Sequence, residues 1–138
     1  MRILSVTQFS MHHCCKAAAR HMISGGRGGS IIVIGSIMAD FSHPTSSSYT
    51  SSKCAVRKLG EVMSRELAPH GIRVNVVQPW HIATANEVAY MDAATREVHG
   101  RRMPLGRMGT GADIGNAVAF LCSEQASYSA FKQPADSL

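Results

Sequence analysis

At 138 residues the chain has the size of one domain or part of one, and its 45% apolar and 17% charged content excludes a disordered polymer and predicts a packed core. The net charge of +5 comes from fourteen basic residues scattered along the sequence, with only Arg57-Lys58 and Arg101-Arg102 adjacent. It reads as a solvated surface, and no nucleic-acid partner is expected. No run approaches the roughly 18 apolar residues of a membrane span, so no membrane is expected either.

Met1-Arg2-Ile3-Leu4 leads into a helical pattern, not a signal peptide with a small-residue cleavage site. Cys14, Cys15, Cys54 and Cys122 form neither a Cys-x-x-Cys pair nor the spacing of a secreted disulfide framework. They are expected to be reduced core residues in a cytoplasmic protein.

In chain order, Leu4, Val6, Phe9, Met11, Cys15, Ala18 and Met22 recur at helical intervals and predict a helix from about Ile3 to Met22, ended by the glycines between Gly25 and Gly29. The run Ser30 to Ile34 predicts a strand buried on both faces. Ser42 to Ser48, holding Pro44 and four serines, predicts a polar loop. A second helix from Tyr49 to His70 buries Ala55 or Val56, Leu59, Val62 or Met63, and Leu67. Gly71 caps it, and Ile72 to Val77 forms a second strand before Pro79.

Beyond Pro79 the polarity is mixed, with Met91, Ala94 and Val98 on one side of a helical flap over about 86–102. Ile114, Val118, Leu121 and Cys122 predict a helix from about Ala112 to Ser123, with Thr110 or Gly111 as its cap and Asp113 in its first turn. Ser129 to Leu138 has no period.

Strands separated by helices of this length pair in parallel through right-handed crossovers, giving an α/β chain whose ligands bind at the carboxyl ends of the strands. Ser36 and the 79–84 segment both lie there. The glycines at 25–29 lie at the opposite end and read as a turn, since a phosphate cradle needs a strand before it and a helix after it.

Ser36, Tyr49 and Lys53 stand at spacings of thirteen and four. Tyr128 and Lys132 repeat the shorter spacing, but a glycine precedes Tyr128 by thirteen and no helical pattern follows, so that pair reads as coincidence. Tyr49 and Lys53 share a helix face, and an ammonium beside a phenol favours the phenolate. Such a tyrosine can take a proton from an alcohol, or return one to a carbonyl, while hydride moves to or from a nicotinamide. Ser36 would hold the same substrate oxygen. His12-His13-Cys14-Cys15 offers metal-ligand types, but consecutive helical residues fan out by about 100° and cannot close on one ion, so no metal is expected. The eight methionines read as filling for a core or a substrate pocket.

Several segments together carry a resemblance. They are Ala17-Ala18-Ala19-Arg20-His21-Met22, Gly29-Ser30-Ile31-Ile32-Val33-Ile34-Gly35-Ser36, Tyr49-Thr50-Ser51-Ser52-Lys53 with Ala55-Val56, and the run from Arg65 through Pro69 and Gly71 to Asn75. Pro104-Leu105-Gly106-Arg107-Met108-Gly109 and Asp113-Ile114 extend them. From about Val6 to Tyr128 the chain resembles a short-chain dehydrogenase/reductase.

The resemblance implies a partial doubly wound, Rossmann-type parallel sheet with flanking helices, formed by residues 1–138 as one domain. It implies that Tyr49 is the acid/base, that Lys53 tunes it and binds the nicotinamide ribose of NAD or NADP, and that Ser36 orients the substrate oxygen. Pro79 to Thr84 would border the nicotinamide, Ile82 through its backbone and Thr84 through its hydroxyl, and 86–108 would cover the substrate. The implied substrate is a small alcohol or carbonyl compound, and the implied assembly is a homo-oligomer through the helices at about 3–24 and 49–70.

The sequence also departs from the family. Thr7 aligns with its helix asparagine, Trp80 with the glycine after its loop proline, and Phe131-Lys132-Gln133-Pro134 with its final Asp-Gly-Gly turn. Its initial strand, Thr-Gly-x-x-x-Gly-x-Gly loop, coenzyme-selecting residue and Asn-Ala-Gly segment have no counterpart in the 138 residues. The chain thus reads as the carboxyl-terminal part of an NAD(P)-dependent oxidoreductase. The alternative is a truncated, catalytically silent relative acting as an interaction or oligomerisation module. A sheet of about two strands leaves open edges, so the chain is expected to aggregate or to need a partner.

Overall fold

The first helix forms where its apolar spacing predicts, but its entry is irregular. The computed structural model describes residues 2–130. A short helical turn, α1 (Arg2–Leu4), runs into a π-helical turn, Ser5–Phe9, and then into the regular helix α2 (Ser10–Gly25). The π turn takes in an extra residue and rotates the upstream stripe out of line with the rest. Cys15 is accordingly buried and Met11, Ala18 and Met22 pack on the core, whereas Val6 and Phe9 are exposed.

Gly26 ends α2 in the left-handed region, at φ 64°, with its N–H bonded to the Met22 and Ile23 carbonyls at 3.2 and 3.1 Å. Strand β1 (Gly29–Ile34) follows, then a 3-10 turn, Ile37–Ala39, and the long helix α3 (Ser47–Leu67). Helix α3 takes in Ser47 and Ser48 from the expected loop and stops short of His70. Pro69 cannot continue an α-helical hydrogen-bond ladder, and Ala68–His70 tighten into a 3-10 turn closed by Gly71. Strand β2 (Ile72–Val77) completes a two-stranded sheet among the described residues, with α3 as the crossover. The pairing is parallel and runs from Gly29 opposite Ile72 to Ile34 opposite Val77.

One face of the sheet carries Ile31, Val33, Ile72 and Val74. It packs against Cys15 and Ala19 of α2 and Val56, Met63 and Leu67 of α3. Val33, Val56, Ile72 and Val74 are at most 2% exposed, and each such side chain contributes about 1.5–3 kcal/mol. Gly60 lets α3 sit close to β2, since a Cβ there would lie 2.4 Å from Val76 Cγ2.

The opposite face mixes Ile32, Ile34 and Val77 with Ser30, Arg73 and Asn75 and is only partly covered, which corrects the expectation of a strand buried on both sides. Ile34 is exposed, and Ser30, Arg73 and Asn75 reach the carbonyls at the far end of α6 (Gly111–Cys122) and just beyond it. Ser30 Oγ and Arg73 Nη1 donate to the Leu121 carbonyl at 3.1 and 2.9 Å, and Asn75 Nδ2 donates to that of Ser129 at 2.8 Å. Of the cysteines expected in the core, only Cys15 is buried; Cys14, Cys54 and Cys122 are exposed.

Between the sheet and α6 lie two short helices, α4 (Ala85–Tyr90) and α5 (Ala93–Arg102), where one helical flap was predicted. The break falls at Asp92, which caps α5 by accepting from the Thr95 amide at 2.7 Å. Thr110 caps α6 in a capping box. Its hydroxyl accepts from the Asp113 amide at 3.2 Å, and the Asp113 carboxylate accepts from the Thr110 amide at 2.7 Å. The unpatterned tail lies, beyond Ala130, outside the described residues, as does Lys132 of the second Tyr-x-x-x-Lys pair. Among the described residues no helix is long and apolar enough to cross a membrane.

Candidate active site

The strand ends hold two segments side by side. Pairing continues past β1 and β2, with Gly35 N–H donating to the Val77 carbonyl at 2.8 Å and Ile37 N–H to the Pro79 carbonyl at 3.1 Å. Ser36 and Pro79 are thereby adjacent. Ser36 is buried, and its Oγ accepts from the Met38 amide at 3.2 Å as the cap of the 3-10 turn. A hydroxyl that accepts in this way keeps its own proton to donate.

Tyr49 and Lys53 lie one turn apart near the start of α3. Lys53 Nζ sits 5.7 Å from the centre of the Tyr49 ring, within cation–π range, and donates to the Ile34 carbonyl at 3.0 Å. One ammonium thus bridges the end of β1 and the tyrosine. Loss of solvent around the half-buried side chain pushes Lys53 below its ordinary value of 10.5. Two of its three donors remain for a ligand.

Ser36 and Tyr49 line one cleft of about 500 Å³, together with Ile37, Met38, Phe41, Ser42, His43, Trp80 and His81. Neither Lys53, Ile82 nor Thr84 lines it. Lys53 touches it through Tyr49, and the other two continue the loop that supplies Trp80 and His81. That loop is pinned by a parallel bridge between Ile82 and Gly109, in which Ala83 N–H donates to the Gly109 carbonyl at 2.8 Å and Gly109 N–H to the His81 carbonyl at 2.9 Å. Residues between the two strands of the bridge, α4 and α5 included, therefore form an excursion with fixed ends. His81 also meets His99 of α5 edge-on, with ring centres 5.0 Å apart.

Sequence reasoning missed the polar clamp behind these groups. Asp40 pairs with Arg57 Nη1 at 2.9 Å and accepts from Gln78 Nε2 at 2.6 Å, while Arg57 Nη2 reaches the buried Glu61 at 3.4 Å. Lys58 also pairs with Glu61. The clamp joins the turn after Ser36, the helix of Tyr49 and Lys53, and the end of β2 just before Pro79. Its one legible signal is Gln78, a polar residue closing an otherwise apolar strand end.

Comparison with known proteins identifies the family. The family model described as Enoyl-(Acyl carrier protein) reductase matches residues 1–130. L-rhamnose 1-dehydrogenase (NAD(P)(+)) of Azotobacter vinelandii is 40% identical over 82% of this chain and 44% of its own length. The (3R)-3-hydroxyacyl-CoA dehydrogenase of Mus musculus is 37% identical over 92% of this chain and 49% of its own. A short-chain type dehydrogenase/reductase from Mycobacterium ulcerans superposes with a TM-score of 0.85 at 32% identity, covering 92% of this chain and 46% of that one. The chain spans about half the length of the curated relatives it matches. Matched by that family model over residues 1–130 and by these relatives over most of its length, the chain belongs to the short-chain dehydrogenase/reductase family.

Proposed function

We propose that this chain forms the acid/base and substrate-holding part of an NAD- or NADP-dependent oxidoreductase that interconverts a secondary alcohol and a ketone. The observation that carries the reading is the shared cleft of Ser36 and Tyr49, with Lys53 held against the tyrosine by the Ile34 carbonyl. Relatives bearing dehydrogenase names, one of them with NAD(P)(+) in its name, support it.

In this reading the Tyr49 phenol exchanges a proton with the substrate oxygen, and Ser36 Oγ–H donates to that oxygen and fixes its position. The Lys53 ammonium stabilises the phenolate left when the proton departs. The residues present fit the ribose and nicotinamide end of a dinucleotide: Lys53 keeps two donors beside the cleft, suited to vicinal hydroxyls, and the pinned Pro79–Thr84 loop borders it. Ile82 would contribute backbone contacts and Thr84 its hydroxyl. The nicotinamide, when bound, supplies or accepts the hydride. Residues 86–108 cover the substrate, anchored by the Ile82–Gly109 bridge.

The test is nicotinamide-linked turnover of a panel of secondary alcohols and ketones, compared with Ser36→Ala and Lys53→Met. Loss of turnover in both variants with folding retained is expected; turnover unchanged in either one refutes that residue's role. Pairing of two copies through the helices at about 3–24 and 49–70 is part of the same proposal. Phe9 and Val62 are exposed there and line one groove with Leu59. Sedimentation of Phe9→Glu checks it, with a shift toward monomer expected and an unchanged mass refuting that surface.

A further inference from the structure

We propose that the cleft selects a neutral ketone or secondary alcohol bearing an aromatic ring, held by Phe41 and Trp80; this rests on the reading above and names its substrate class. Ile37, Met38, Phe41 and Trp80 supply the walls, and no Asp, Glu, Lys or Arg occurs among the described lining residues. A charged handle on the substrate finds no carboxylate, ammonium or guanidinium in the wall: apart from Tyr49, the ionisable groups on the described walls are the imidazoles of His43 and His81.

A polyhydroxylated substrate fares little better. Ser36 and Tyr49 are committed to the reacting oxygen, His43 Nδ1 is engaged by the Pro44 carbonyl at 2.7 Å, and Ser42 is the one further hydroxyl among the described lining residues. Each hydroxyl buried without a partner costs about 1–3 kcal/mol.

Aromatic rings suit the walls for a geometric reason. Trp80 and His81 stack at an interplanar angle of 24° with centres 5.7 Å apart, giving a flat surface, and the edge-on contact with His99 buttresses it from α5. Phe41 and Trp80 remain 63% and 52% exposed, so a ring entering the cleft removes large apolar surfaces from water. The volume of about 500 Å³ lies within the roughly 300–1,000 Å³ of small-molecule sites and accommodates a ring next to a carbonyl at Ser36 and Tyr49.

Trp80 is the only tryptophan, so its emission reports on the cleft without any turnover. Titration with acetophenone, 2-butanone and sorbitol is expected to give a saturable change with acetophenone, half-saturation at least about tenfold weaker with 2-butanone, and no saturable change with sorbitol. Phe41→Leu keeps an exposed apolar side chain and removes the ring. It is expected to weaken the acetophenone response about fivefold, the scale of one aromatic pair. Saturation by sorbitol but not acetophenone, or equal acetophenone responses in the wild type and Phe41→Leu, overturns the proposal. The two readings fail separately. Acetophenone binding without nicotinamide-linked turnover sinks the reaction and leaves the ring site standing. Tyr49-dependent turnover of sorbitol with no acetophenone binding sinks the ring site and leaves the reaction standing.

Discussion

Gly60→Ala places a methyl group 2.4 Å from Val76 Cγ2, where carbon atoms at rest stand about 3.5–4.0 Å apart. Val76 is partly buried against the core, and a β-branched side chain in a strand has few rotamers to retreat into. Overpacking of this kind costs about 1–3 kcal/mol, against a gain of about 0.8–1 kcal/mol for replacing glycine inside a helix. The net expectation is a loss of about 1 kcal/mol. Val76→Ala removes the clashing methyl, so in that background the same substitution should become stabilising by about 1 kcal/mol. The assay is a double-mutant cycle on urea midpoints followed by circular dichroism. A Gly60→Ala effect of the same sign and size in both backgrounds refutes the claim that close approach of α3 to β2 fixes this glycine, and with it the packing that positions Tyr49 and Lys53.

Asp40→Ala releases the turn after Ser36 from Arg57 and Gln78, and turnover should fall several-fold while stability falls by no more than about 1 kcal/mol, because the pair is partly exposed; kcat and urea midpoints measured together check this. Thr110→Ala removes the hydroxyl half of the capping box and should cost about 1 kcal/mol in thermal unfolding. Burial holds Lys53 below 10.5, so its charged form is penalised in the folded state. That penalty is present below the folded value and is relieved as pH rises toward 10.5, and stability should therefore rise with pH across this interval. Lys53→Met should remove that component from the pH dependence of the urea midpoint. On the acid side the Arg107 guanidinium, followed by the Thr110 contacts, holds Asp113 well below the ordinary carboxylate range, so its stabilising contribution is present above about pH 4 and lost as pH falls.

Much of this was legible in the sequence because it depends on period and punctuation. The parallel strands follow from two short apolar runs separated by a helix-length segment, and the buried stripe was open by one residue at two positions, Ala55 or Val56 and Val62 or Met63, where the structure buries Val56 and Met63. Ser36 could be placed at a strand end because the apolar run stops there. The opposite strand face was misjudged because Ser30, Arg73 and Asn75, dispersed in sequence, become partners only when α6 delivers the Leu121 and Ser129 carbonyls. The π turn that exposes Val6 and Phe9 leaves no trace in apolar spacing. The clamp of Asp40, Arg57 and Gln78 was illegible for a similar reason: Gln78 stands out as a polar strand end, but its link to Asp40 spans 38 positions and no local pattern encodes it. Trp80 was noticed as a departure, but its pairing with Phe41 and His81 around one cleft needed three dimensions.

The most direct test of the central claim follows the hydride itself. The protein is incubated with a ketone and a reduced nicotinamide cofactor carrying deuterium at the transferring carbon, and the alcohol product is examined by mass spectrometry. The account predicts one deuterium on the carbinol carbon with the wild-type protein and no product above background with Tyr49→Phe. Product lacking deuterium, or an equal yield from Tyr49→Phe, would contradict it.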